Sequence, residues 1–132
     1  MESVTTQHYG EGSFEQRANG LLRQEGLDHD GLAWSDFARL DHFHTGGLEA
    51  TKWLGEILNP DPGQVVLDVG SGLGGPARYL AATYGCAVVG IDLTSDFVRV
   101  ATTLSAYAGL ADRTTFLVGN ALDMPFDDAA FD

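Results

Sequence analysis

The fold of this 132-residue chain is decided by one stretch, Val65-Val66-Leu67-Asp68-Val69-Gly70-Ser71-Gly72-Leu73-Gly74-Gly75-Pro76. Its first five residues have the length and the β-branched content of a buried parallel strand. The glycines that follow allow a sharp turn and a close approach to a ligand, and Pro76 suits the first position of a helix. The stretch therefore predicts a strand, a glycine-rich loop and a helix.

The same alternation continues after the loop. Apolar residues recur at helical spacing as far as Tyr84, and residues 87–91 then form a second buried strand that Asp92 follows directly. A helix begins at Thr94 or Ser95, and residues 114–118 form a third strand. Parallel strands joined by right-handed helical crossovers give an α/β fold, with Phe131-Asp132 as the first step of a fourth strand.

Residues 1–62 are predicted to form an N-terminal helical segment, and residues 63–132 form the α/β unit after the turn at residues 59–63. Helices are expected at residues 13–24, from Ser35 or Asp36 to Asp41, and at residues 48–58. The last of these carries Ala50, Trp53, Leu54, Ile57 and Leu58 on one face. That face should pack beside the sheet.

The net charge of the chain indicates which kinds of molecule it is expected not to bind. Nineteen acidic residues against seven basic ones give a net charge of −12, which disfavours nucleic acid and anionic membranes. No apolar run reaches the roughly 20 residues that span a bilayer, and the N-terminus does not resemble a signal peptide. We therefore expect a cytoplasmic protein, with its single Cys86 acting as a small buried hydrophobic residue.

The glycine spacing fits two cofactors. Gly70, Gly72 and Gly75 satisfy the dinucleotide pattern G-x-G-x-x-G, and Gly70, Gly72 and Gly74 satisfy the G-x-G-x-G of S-adenosylmethionine (SAM) sites. Asp68 favours SAM, because a carboxylate suits the cationic methionyl end and would repel a pyrophosphate. Pro76 also removes an amide that a diphosphate would use. Alternatively, Asp68 stabilises the turn by accepting hydrogen bonds from loop amides.

Two further segments lie at the same end of the predicted sheet. Asp92, placed 22 positions after Gly70, can accept hydrogen bonds from both hydroxyls of a ribose. In the loop at residues 119–126, Asn120 and the amide of Ala121 can bind adenine, while Leu93 and Met124 cover its ring. Taken alone, the Asn120 loop is better explained by Asx-type turn bonds. Adenine binding is favoured because three segments at this end of the sheet agree on one adenosine.

These motifs together resemble class I SAM-dependent methyltransferases of the small-molecule branch, such as the sarcosine/dimethylglycine N-methyltransferases and the quinone-biosynthesis C-methyltransferases. The resemblance covers residues from about Gly46 to the end. It implies SAM as cofactor, S-adenosylhomocysteine (SAH) as product and a small-molecule methyl acceptor. It also implies that Asp92 binds the ribose. The family more often has Asp at the position of Asn120. The full set of implied cofactor residues is Asp68, Gly70, Ser71, Gly72, Gly74, Asp92, Leu93, Asn120 and Ala121.

The resemblance further implies a Rossmann-like sheet in the order 3-2-1-4-5-7-6, of which this chain supplies strands 3-2-1 while strands 4–7 are missing. Strand 1 would then have an open edge that carries unpaired backbone groups. We therefore expect either a truncated portion of a longer enzyme, inactive alone, or coverage of this edge by another chain or segment. Self-association through the strand-1 edge is one such arrangement.

The acceptor side is less defined by the sequence. The candidate substrate contacts are Trp34, Phe43, His42 and His44. The aromatic residues among them also suit core packing. The D-H-x-H cluster that begins at Asp41 also suits a structural role, a general base or metal binding. We predict no metal site and name no catalytic base. The competing functions are a catalytically silent SAM-binding or regulatory module and an NAD(P)-dependent oxidoreductase.

Overall fold

The structure, a computed structural model, describes residues 13–42, 44 and 46–132. Helices and strands alternate along the second half of the chain, as the sequence predicts. The elements are α1 (Ser13–Glu25), a 3₁₀ helix (Trp34–Phe37), α2 (Ala38–Asp41), α3 (Gly47–Leu58), β1 (Val65–Val69), α4 (Gly75–Tyr84), β2 (Ala87–Asp92), α5 (Ser95–Tyr107) and β3 (Thr114–Val118). None of the helices in these described ranges is long and apolar enough to cross a bilayer.

The sheet in the described residues has three parallel strands in the order β1-β2-β3, which confirms the predicted 3-2-1 half-sheet. Asp68 lies opposite Gly90, and Asp92 at the end of β2 lies opposite Val118. All three strands therefore deliver their carboxyl ends to one edge, where ligands bind in open parallel sheets.

The N-terminal helices pack onto the α/β unit. One buried cluster joins Leu22 of α1 and Phe37 to Leu73 of the glycine loop and to Leu104 of α5. A second cluster, around α4, the sheet and α5, contains Cys86, which is fully buried as predicted. The expected helix at residues 35–41 begins one residue earlier as a 3₁₀ turn, because Asp36 Oδ2 accepts a hydrogen bond from the Ala33 N–H (2.8 Å).

Helix α3 does not bury the face that its apolar residues predict. Trp53 and Ile57 are 65% and 60% exposed, and Leu54 and Leu58 are also exposed. The buried residues are Thr51 and Gly55, and Gly55 faces the tyrosines of α4. The prediction that the apolar face packs beside the sheet was therefore wrong, because the small residues of α3 permit the closest approach to α4.

The last residue meets the free edge of β1. The Asp132 N–H donates to the Val65 carbonyl (3.0 Å), and the Val65 N–H donates to Asp132 Oδ2 (2.9 Å). Residues of the loop before it line an open cavity of about 460 Å³ together with Leu67 of β1. Asp132 thus makes the first backbone pairing expected of a fourth strand.

Candidate functional site

The glycine-rich loop is tied to the end of β2 by its own backbone. The N–H groups of Gly70 and Ser71 both donate to the Ile91 carbonyl, at 2.8 and 3.1 Å. Gly70 has a φ of 74°, a conformation that favours glycine, and no atom lies within 4 Å of where its Cβ would be. The loop therefore presents its backbone to open space at the carboxyl ends of β1 and β2.

Asp92 holds the middle of this loop. Its Oδ2 accepts a hydrogen bond from the Gly72 N–H (2.9 Å), and its Oδ1 accepts one from the Thr94 N–H (2.9 Å). A carboxylate has about four acceptor sites, so two remain for ligand hydroxyls. Asp92 thus joins the glycine loop to the start of α5 and can still receive a ribose.

Asp68 has a buried oxygen without a partner. No hydrogen bond in the described part of the chain reaches its Oδ2, because the loop amides donate to Ile91 and Asp92 instead. Burial, and then the negative charge of Asp92, raise the pKa of Asp68 to about 6, while His44 acts in the opposite direction. Oδ2 therefore makes no turn-stabilising hydrogen bond to the loop amides, and this oxygen is available to a cation or a donor.

Ser71 provides a second buried polar atom of this kind. Its hydroxyl oxygen has no hydrogen-bond partner among the described residues. Ser71 and Asp68 both line one cavity. Buried polar groups are nearly always hydrogen-bonded, so two such atoms beside one cavity indicate a place for a polar ligand.

Two cavities flank the glycine loop and share Gly70. The larger, about 650 Å³, lies between the loop and α3, and the smaller, about 380 Å³, lies between the ends of β2 and β3. The larger is lined by Asp41, His44, Ala50, Thr51, Trp53, Leu54, Asp68, Gly70, Ser71, Gly72, Leu73 and Pro76. The smaller is lined by Val69, Gly70, Ile91, Asp92, Leu93, Thr94, Phe97, Gly119, Asn120 and Ala121. One ligand that passes Gly70 could occupy both.

The predicted cofactor residues line these two cavities, with one exception. Leu93, Asn120 and Ala121 lie in the smaller cavity with Asp92. Asn120 Oδ1 accepts a hydrogen bond from the Leu122 N–H (2.9 Å), which is the Asx-type turn that the sequence also allowed. The exception is Gly74, which is buried beneath the loop and lines neither cavity; a Cβ there would lie 2.6 Å from Phe116.

The four predicted substrate contacts are placed differently from one another. His44 lines the larger cavity, and its Nε2 lies 3.1 Å from Thr51 Oγ1. His42 is buried, with Nδ1 2.7 Å from Asp41 Oδ1, and it does not line the cavity. Trp34 packs edge-on against Tyr79, with 5.1 Å between ring centroids. Phe43 lies outside the described residues.

The D-H-x-H cluster does not gather further ligands. In the described ranges, no three His, Cys, Asp or Glu side chains come together in an arrangement that could hold a metal ion. Asp41 and His42 instead form a buried hydrogen-bonded pair.

Residues 66–132 of the chain match the family described as "Methyltransferase domain". This match covers half of the chain and includes Asp68, the glycine loop and Asp92. The chain belongs to the methyltransferase domain family. The resemblance predicted from the motifs is thereby confirmed.

Relatives extend the match of this methyltransferase domain into the N-terminal helices. The chain is 36% identical over 123 residues to methyltransferase GfsG of Streptomyces halstedii, covering 92% of this chain and 44% of that protein. It is 38% identical over 118 residues to phosphoethanolamine N-methyltransferase 1 of Zea mays, covering 89% and 21%. A solved structure of geranyl diphosphate methyltransferase in complex with SAM aligns with a TM-score of 0.59 at 25% identity, covering 89% and 40%. The chain spans less than half the length of each.

Sequence reasoning missed Arg78, a buried residue behind the glycine loop that hydrogen-bonds to several segments of this methyltransferase domain. Arg78 of α4 is fully buried, and its Nη2 donates to Asp41 Oδ2 (2.8 Å) and to the Leu73 carbonyl (2.5 Å). Its Nη1 donates to the Ala101 carbonyl and to Ser105 Oγ, both at 3.1 Å. Burial lowers the pKa of Arg78, and Asp41 opposes that shift. No spacing signal marks Arg78, since its side-chain acceptors Asp41 and Ser105 lie 37 and 27 residues away along the chain.

Proposed function

We propose that this chain binds SAM across the two cavities and forms the cofactor-binding part of an enzyme that transfers a methyl group to a small molecule. The observation that carries the proposal is the placement of Asp68 and Asp92 on opposite sides of Gly70, one in each cavity. SAM carries an ammonium at one end and a ribose near the other, so two carboxylates in this arrangement match its chemistry.

The residues present fit the cofactor at both ends. The unpartnered Oδ2 of Asp68 suits the methionyl ammonium, and the free hydroxyl of Ser71 offers a further polar contact. The remaining acceptor sites of Asp92 suit the ribose hydroxyls. Leu93 and Ala121 would contact the adenine, and Asn120 would do so with the side-chain amide that its turn bond leaves available.

In the reaction, bound SAM supplies an electrophilic methyl group on its sulfonium. The chain then has to orient two ligands and exclude water, because methyl transfer requires in-line approach and no protein nucleophile. The loop amides donate hydrogen bonds to Ile91 and Asp92, and these bonds hold the loop in the conformation that would orient the cofactor. His44 and Thr51 line the larger cavity, and in this proposal they would contact the acceptor together with the apolar residues of α3.

The relatives support a small-molecule acceptor, since those named above include an enzyme named for phosphoethanolamine and one named for geranyl diphosphate. A net charge of −12 supports the accompanying expectations that the protein does not bind nucleic acid or anionic membranes. A cytoplasmic location and self-association through the β1 edge remain part of the proposal.

Calorimetric titration of the folded chain with SAH and with NAD⁺ tests the proposal. SAH retains the ammonium and the adenosine of SAM, so we expect saturable heat at one site per chain. NAD⁺ places a pyrophosphate near Asp68 and should give none. Saturable binding of NAD⁺ without binding of SAH would replace the proposal with a dinucleotide site.

A further inference from the structure

The larger cavity has an apolar wall that the proposed cofactor contacts do not use. Trp53 and Leu54 of α3 line it and remain 65% and 47% exposed. Ala50 on the same helix, and Leu73 and Pro76 across from it, continue the apolar surface. An exposed tryptophan beside a leucine on the rim of a cavity offers apolar surface that a ligand can cover.

The polar residues of this lining are Asp41, His44, Thr51, Asp68 and Ser71, and Thr51 lies on α3 beside Ala50. Asp41 is paired with Arg78 at 2.8 Å, so Asp68 is the carboxylate of this lining that attracts a cation and repels an anion. A volume of about 650 Å³ lies in the range of small-molecule pockets, which combine an apolar body with a few polar groups.

Lysine and arginine are absent from the lining formed by the described residues, and His44 is its one basic side chain. Arg78 lies behind the loop, but it is fully buried and both Nη atoms already donate to protein acceptors. Lys52 follows Thr51 in α3 and instead pairs with Glu49 at 3.4 Å. A phosphate group needs a cation or several free N–H donors, and this cavity offers no Lys or Arg for that purpose.

We infer that the methyl acceptor is an uncharged small molecule with a bulky apolar body, and that this body packs against Trp53 and Leu54. The inference rests on the proposed function, because it assigns the part of the cavity that SAM leaves free. It makes Trp53 a residue that determines acceptor specificity. The lining formed by the described residues offers no Lys or Arg to an anionic acceptor such as a phosphate ester.

The test uses two probes that differ only in a phosphate, 1-naphthol and 1-naphthyl phosphate, titrated calorimetrically into the SAH-saturated chain at neutral pH. We expect 1-naphthol to bind at least roughly tenfold more tightly than 1-naphthyl phosphate. Trp53→Ala should weaken 1-naphthol binding by roughly tenfold or more and leave SAH affinity within about twofold. Because Trp53 is 65% exposed, this substitution should not unfold the chain.

Ile57→Ala is the matched control, since Ile57 lies one turn along α3, is 60% exposed and does not line the cavity. It should leave the binding of both probes unchanged. Equal or tighter binding of 1-naphthyl phosphate, no binding of 1-naphthol, or equal effects of the two alanine variants would each overturn the inference. Failure of SAH to bind, by contrast, would reject the proposed function, so the two failures are distinguishable.

Discussion

At the scale of single residues, Asp68 couples the stability of the ligand-free protein to pH. Its folded-state pKa of about 6 lies above the ordinary value of 3.8, so its stabilising contribution is present at low pH and is lost as the pH rises through 6. Asp68→Asn mimics the protonated form. It should raise the free energy of unfolding by about 2 kcal/mol at pH above about 7, and by much less near pH 4.

Urea unfolding at the two pH values measures this difference. Asp112→Asn, at an exposed turn position before β3, controls for the loss of one negative charge from the chain. A wild-type protein as stable as the Asp68→Asn variant above pH 7 would show that the carboxylate is not destabilised by burial.

Asp92 accepts hydrogen bonds from two backbone amides and has a proposed second role at the cofactor, and one substitution should disrupt both. Asp92→Ala removes the acceptor for the Gly72 and Thr94 amides and the acceptor proposed for the ribose. We expect SAH affinity to fall by roughly tenfold or more, which corresponds to loss of one or two hydrogen bonds to a charged group. Amide hydrogen exchange at Gly72 and Thr94 should accelerate even without ligand. Unchanged exchange at both amides would contradict the assignment of Asp92 to the loop.

At the scale of elements, Arg78 connects α4 to α2, to the glycine loop and to α5. Arg78→Met should destabilise the protein by about 3–5 kcal/mol, because it leaves the buried Asp41 carboxylate without its cation. Arg78→Lys keeps the charge but cannot reproduce the forked contacts, so it should also be destabilising.

A double-mutant cycle isolates this coupling. Asp41→Asn combined with Arg78→Met should cost clearly less than the sum of the two single substitutions, as judged by urea unfolding. Additive losses would mean that the pair does not act as a unit. Asp112→Asn combined with Arg78→Met offers a comparison in which additivity is expected.

The packing of α3 on α4 depends on Gly55. A Cβ at this position would lie 2.9 Å from the Tyr84 hydroxyl and 3.0 Å from Cε2 of the same ring. Gly55→Ala should therefore cost about 1–3 kcal/mol through overpacking. Gly20→Ala in α1 is the matched control, because no atom lies within 4 Å of its Cβ position, and it should gain about 0.5–1 kcal/mol from helix propensity. Gly55→Ala should thus lower the midpoint temperature of thermal unfolding, and Gly20→Ala should raise it. Stabilisation by both substitutions would refute the close packing of α3 on α4.

At the scale of the whole molecule, the sequence predicted what depends on local pattern. The bounds of β1 and β3 agree with the predicted strands because β-branched runs end at glycines and turns. Asp68 and Asp92 could be expected to converge because the ends of neighbouring parallel strands meet at one edge. Their positions beside adjoining cavities could therefore be predicted without knowledge of contacts between distant parts of the chain.

Features that depend on distant partners were not predictable in this way. Hydrophobic periodicity identified helix α3 but assigned it the wrong buried face, because the sizes of Thr51 and Gly55 decide which side approaches α4. The burial of Arg78 depends on acceptors at Asp41, Leu73 and Ser105, which no local pattern connects. Gly74 satisfied a cofactor motif, yet its structural constraint is contact with Phe116.

In the proposed complex, Asp68 binds the ammonium of SAM and Asp92 binds the nucleoside. Calorimetric titrations of wild type and Asp68→Asn with SAH and with 5′-methylthioadenosine, which keeps the nucleoside but lacks the amino acid, test this assignment. We predict that wild type prefers SAH by roughly tenfold or more and that Asp68→Asn loses most of this preference. An SAH preference of the same size in both proteins would contradict the account.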